Sequence, residues 1–151
     1  MKKVQIHQNL GYLLTTATNA LVTHMQRTIL EQQIDVPFEQ LRVLMFISNN
    51  EGVKQQDICT GLNKVKPGVS RLVDGLVKKK LVEQRSDKTD RRVKNLHITS
   101  KGVEVRNHFY PIGLGELKKI ETHLGEKETK QLKNHLRKIK EIISNTENNN
   151  E

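Results

Sequence analysis

The chain has one cysteine, no tryptophan, three prolines and five aromatic residues among its 151. The lone Cys59 can form no internal disulfide, which fits a reducing compartment. The aromatics are Tyr12, Phe38, Phe46, Phe109 and Tyr110, and none of them falls in the most basic segment, so that segment lacks a stacking platform for unpaired bases. No apolar run reaches the roughly 20 residues of a membrane-spanning helix, and no continuous apolar stretch follows the first residues, Met1 to Gln8. The expectation is a cytoplasmic protein with no membrane partner. The six histidines lack the spacing of a metal pair on one helix face. No Ser-His-Asp grouping, glycine-rich phosphate loop or pair of inward carboxylates can be placed on a common cleft. No metal, no cofactor and no enzymatic activity are therefore expected.

What the chain does have is positive charge: 26 lysines and arginines against 17 acids, a formal net of +9. It is concentrated, since fourteen basic side chains stand against six acidic ones between Lys54 and Arg106. Such a distribution points to a polyanionic partner, most economically nucleic acid. With no aromatics in the basic segment, double-stranded DNA is the better match.

That segment is organised around Lys64 to Ser100. Pro67 starts a helix of about fourteen residues, because its fixed φ suits a first helical turn. Val69, Leu72, Val73, Leu76 and Val77 recur at spacings of three and four and form one apolar stripe. Lys66, Gly68, Ser70 and Arg71 occupy the other face. After Lys80 the period drops to two, and Val82 with Gln84, then Val93, Asn95, Leu96 and Ile98, read as two strands around the charged loop Ser86 to Arg92. Upstream, Gln55 to Gly61 predicts a short helix joined through Leu62-Asn63-Lys64, so the two helices form a helix-turn-helix. A helix with a basic face can fill a major groove, and a hairpin with a basic tip can reach the neighbouring minor groove.

The flanks are long and amphipathic. From about Val4 to Gln32 runs a stripe through Leu10, Leu14, Leu21, Met25 and Ile29. Asp35-Val36-Pro37 opens a second helix, with Leu41, Leu44, Met45 and Ile47 inward. Thr99 is placed to cap a later helix, which should kink or break near Tyr110 because Pro111, Gly113 and Gly115 follow. Leu114, Leu117, Ile120 and Leu124 continue a stripe to Gly125. The last helix, Glu126 to Ser144, carries Leu132, Leu136, Ile139 and Ile143 at near-heptad spacing, and Asn145 to Glu151 is expected to be a disordered polar tail. The fold class expected is mainly α, a winged helix-turn-helix with a long-helix dimerisation layer from both chain ends. Its divisions are a dimerisation helix (1–34), the winged module (35–100), C-terminal dimerisation helices (101–144) and the tail (145–151). Stripes this long need a second copy to bury them, a homodimer. The alternative is an intramolecular three-helix layer.

This layout resembles the MarR family of bacterial transcription regulators over roughly Leu10 to Ile143. The most specific piece is Asp90-Arg91-Arg92 followed by Leu96-His97-Ile98-Thr99-Ser100-Lys101-Gly102, which is similar to the family's wing signature. Val69 to Leu76 resembles its recognition helix and Gln40 to Leu44 the opening of its second helix. Val65-Lys66-Pro67-Gly68 departs from the family's acidic cap and small hydroxyl residues. The resemblance implies a transcription regulator, most often a repressor, that binds a pseudo-palindromic site as a homodimer and is relieved by a small-molecule effector or another signal. The rival class is an architectural or protein-binding winged helix whose basic face only holds phosphate.

On this reading Arg92 is the first choice for a minor-groove contact, with Asp90 pairing a neighbouring arginine to fix its direction. Arg91 and Lys88 share the same tip, which could otherwise be an ordinary charged turn. Lys66, Gly68, Ser70 and Arg71 face the major groove, where an arginine can bridge the O6 and N7 of guanine; contact with phosphate alone is the plainer alternative. Gln55 offers its side chain and a helix N-terminus to phosphate, and Lys54, Lys64 and Arg85 add salt-dependent attraction. Lys78-Lys79-Lys80 is a solvated helix end, and Cys59 an inert core thiol. The effector site is left unknown, and Pro111 to Gly115 is a candidate hinge.

Overall fold

A computed structural model of the chain describes residues 8–148. The elements in chain order are α1 (Leu10–Glu31), α2 (Phe38–Asn49), α3 (Gln55–Leu62), α4 (Lys66–Lys78), β1 (Val82–Ser86), β2 (Lys94–Ile98), α5 (Ser100–Leu124) and α6 (Glu126–Asn148). The chain divides into two compact units, one through Pro111 and one from Ile112 onward.

The first unit is built on one apolar core. Ile29 from α1, Leu41, Leu44 and Ile47 from α2, Ile58 from α3, and Val69, Val73 and Leu76 from α4 are completely buried. Leu81, just before β1, and Leu96 on β2 join them. Each such side chain contributes about 1.5–3 kcal/mol on leaving water. The positions are those the helical spacing marks, with Val43 buried in addition and Met45 only half-buried.

Local chemistry sets the boundaries. Asn9 Oδ1 accepts the Gly11 amide at 2.8 Å and starts α1. The stripe expected from Val4 therefore begins at Leu10 within the described residues, and Val4 and Ile6 lie outside them. Asn63 adopts φ 49°, and the Lys64 amide donates back to the Cys59 carbonyl at 2.9 Å, which closes α3. Thr99 Oγ1 accepts the Gly102 amide at 3.0 Å and donates to the Lys80 carbonyl at 2.7 Å, so the capping residue also ties α5 to the end of α4. β1 and β2 pair antiparallel with Val82 opposite Ile98 and Ser86 opposite Lys94.

Two expectations change. No break occurs near Tyr110: α5 runs through Pro111 as one helix of 25 residues. A proline inside a helix removes a single i→i−4 hydrogen bond and crowds one carbonyl, and the rest of this helix outlasts that loss. The division between the two units nevertheless falls at this proline. The last helix also passes its expected end at Ser144 and continues to Asn148, into the segment read as tail; the final three residues lie outside those described.

The second unit holds the rest of α5 and α6, joined at Gly125, whose φ of 86° suits glycine. The Glu121 carbonyl accepts the Gly125 amide at 3.0 Å and Thr129 Oγ1 at 3.2 Å across the turn, and Lys133 Nζ reaches Glu121 Oε1 at 2.5 Å. Hydrogen bonding from Lys133 outweighs desolvation and holds the Glu121 carboxyl below its ordinary value. No apolar side chain described in this unit is buried: Leu117, Ile120, Leu132, Leu136 and Ile143 are each between 42% and 51% exposed.

Candidate nucleic-acid interface

The helix α4 carries its two faces as the spacing predicts. Val69, Val73 and Leu76 are fully buried, whereas Leu72 and Val77 are half-buried. Lys66 and Arg71 are exposed on the outer side, with Gly68 and Ser70 half-exposed between them. Among the described residues, no hydrogen bond or ion pair engages the side chains of Lys66 and Arg71, so both cations remain open to a ligand. Val65 caps the helix without a side-chain bond. The helix is seated by a close approach: a Cβ on Gly75 would lie 2.3 Å from Gln40 Nε2 on α2.

The hairpin tip is a folded turn centred on Asp87. Its Oδ1 accepts the amides of Thr89 at 2.8 Å and Asp90 at 3.2 Å, and Oδ2 accepts Asn95 Nδ2 at 3.0 Å. The Asp87 amide and the Val93 amide close the turn on the carbonyls of Val93 and Asp90. Hydrogen bonds from the Thr89 hydroxyl, then the Thr89 amide, Asn95 and the Asp90 amide, hold the Asp87 carboxyl well below the ordinary aspartate range. Asp87 was not among the site residues read from the sequence. Its signal was present, because aspartate two residues before threonine is a turn that side-chain acceptors stabilise.

Beyond Asp87, the Asp90 carboxylate accepts the Arg92 amide at 3.0 Å and lies 3.6 Å from Arg92 Nε. The Arg92 side chain is otherwise almost wholly in solvent, 96% exposed. Lys88 and Arg91 are exposed at the same tip.

Other predicted contacts are placed differently. Lys64 Nζ sits 2.5 Å from Glu39 Oε2 and is only 26% exposed; Glu39 also receives Arg42 Nη1 at 3.1 Å. Burial raises the Glu39 pKa, but the bonds from Lys64 and Arg42 more than offset this, and the carboxyl is held below its ordinary value. Arg85 is bound to Glu83, its Nε at 2.8 Å from Oε1. The charge of Lys64 and Arg85, expected to add to a general attraction, is thus largely compensated within the protein. Lys54 caps α3 with its amide donating to Asp57 Oδ2 at 3.0 Å, so an acid already occupies that helix start beside Gln55. Cys59 is buried and unpaired. Among the described residues no group of His, Cys, Asp and Glu could hold a metal ion, and no helix is long and apolar enough to cross a membrane.

A tight two-helix turn, an outward cationic second helix and a hairpin packed against its end define a winged helix-turn-helix. Residues 34–93 match the model of the MarR family. Among solved structures, the S. aureus MepR–DNA complex is similar with a TM-score of 0.82 at 26% identity, over 89% of this chain and 98% of that one. SlyA, a transcriptional regulator, gives 0.83 at 17% identity, over 92% and 96%. The repressor CouR bound to a 23-mer DNA duplex gives 0.79 at 22%, over 92% and 97%. No curated protein matches the chain in sequence. The chain is thus similar to the MarR family in sequence over residues 34–93, and it shares the fold of these regulators over most of its length.

Proposed function

We propose that the protein is a transcription regulator, a repressor, that binds double-stranded DNA sequence-specifically as a homodimer on a pseudo-palindromic operator and is released by a small-molecule effector or another signal. The observation that carries this is the set of cations turned to solvent on two adjoining elements: among the described residues Lys66 and Arg71 have no partner, and Arg92 meets only Asp90, at 3.6 Å. Arg71 and Lys66 on α4, and Arg92 at the wing tip, face solvent while neighbouring bases are neutralised by acids. A guanidinium in that state gains charge-assisted hydrogen bonds from phosphate or guanine. MepR and CouR, to which the chain is similar, have been solved on DNA.

The apolar faces of the second unit support the dimer. Two helices with half-exposed leucines and isoleucines and no buried apolar core are marginal alone and gain burial from a second copy. Two copies related by a two-fold axis would set their α4 helices in successive major grooves about 34–36 Å apart.

Competition binding tests the reading. Duplex from the gene's own upstream region should bind by a factor of about 10³ or more over random duplex at physiological salt. Equal affinity for both would replace a regulator with an architectural protein that holds only phosphate.

A further inference from the structure

The turn between α2 and α3 is docked on the wing. The Gly52 amide donates to the Leu96 carbonyl at 3.0 Å, and the Leu96 amide donates to the Val53 carbonyl at 2.8 Å, so the turn forms an antiparallel bridge on β2. Gly52 has φ 76°, and a Cβ there would meet His97 Cε1 at 3.5 Å, so the imidazole lies along the turn. His97 Nδ1 is 3.2 Å from Glu51 Oε1, with the His97 side chain 17% exposed and Glu51 62%.

Charged side chains near the turn have partners of their own, and Arg106 on α5 donates from Nη1 to Ser48 Oγ at 2.7 Å. Glu83 on β1 is the register partner of His97, but Glu83 is already held by Arg85. The α2 helix carries no charged residue after Arg42. Lys54, at the start of α3, has its amide on Asp57, and Lys101 on α5 turns its Nζ to the Lys79 carbonyl at 3.2 Å. Glu51 is therefore the acid left to His97.

Resting on the DNA-binding reading above, we propose that Glu51 and His97 are positioning residues for the interface. Their pairing fixes the wing, with Arg92, against the turn that leads into Lys54 and Gln55. The clamp raises the share of molecules whose wing and α4 can engage one duplex together. A partly exposed pair of this kind corresponds to about a two- to fivefold effect.

The test compares the whole protein with Glu51→Gln, His97→Gln and the double variant under one buffer condition. It follows exchange of the Leu96 and Gly52 amides, corrected for intrinsic rate, and the Kd for duplex DNA. Glu51 is mostly exposed, so glutamine there leaves the fold intact. Amide protection and DNA affinity should each be about two- to fivefold lower in either single variant than in the wild type, and the double variant should lose no more than either single one. Amide protection unchanged in the variants, or losses that simply add in the double variant, overturns the clamp. Amides that lose protection while the DNA affinity stays at the wild-type value overturn the positioning role. If the wild type binds no duplex, the DNA-binding reading fails, and the amides still judge the clamp.

Discussion

A methyl group placed on Gly102 would lie 2.1 Å from the carbonyl oxygen of Leu81 and 2.7 Å from Ile98 Cγ1. The first turn of α5 therefore crosses directly over the chain leaving α4, and the glycine of the Lys101-Gly102 signature is a packing requirement. Gly102→Ala must push backbone aside, which costs about 1–3 kcal/mol. Denaturant unfolding should show the midpoint falling with an unchanged m-value; an unchanged midpoint would mean that α5 moves away freely.

The wing turn should be sensitive to acid. A carboxyl whose pKa is depressed by folding contributes stability that is complete above its unfolded value, about 3.9. That contribution fades as pH falls below this value toward the folded one. Exchange protection of the Thr89 and Asp90 amides should hold steady from neutral pH to about 5 and decline only below about 4. Loss already near pH 6 would show that Asp87 does not organise the turn.

Base reading and phosphate attraction should separate by mutation. Arg71→Ala is expected to cost about 1–3 kcal/mol of discrimination and to relax sequence preference. Arg92→Ala should weaken binding most at sites with a narrow minor groove. Lys88→Ala should lower the salt slope by about 1 with little change in preference. Competition assays over a salt series check all three, and a reversed pattern between Arg71 and Lys88 reverses their roles. Lys64→Gln should differ, acting on stability through Glu39 more than on the salt slope.

The apolar face of α6 makes the dimer testable. Sedimentation equilibrium should give twice the chain mass for the wild type and a monomer for Leu136→Glu, since a carboxylate in an apolar interface is strongly unfavourable. A wild-type monomer at micromolar concentration would remove the dimer.

What was legible in the sequence is what depends on neighbours three, four or two residues apart. The buried stripe of α4 at Val69, Val73 and Leu76, the strand alternation after Lys80 and the Thr99 cap are such features, and a residue's position within its own element decides them. The outward faces of Lys66 and Arg71 follow from the same periodicity. Only the tertiary structure decided which bases are left free, because that depends on which acid packing brings near. Glu39 on α2 neutralises Lys64, and Glu51 meets His97 across forty-six residues of chain. It also decided that α5 continues through Pro111, where the sequence shows the local cost of a proline but not the strength of the helix on either side of it.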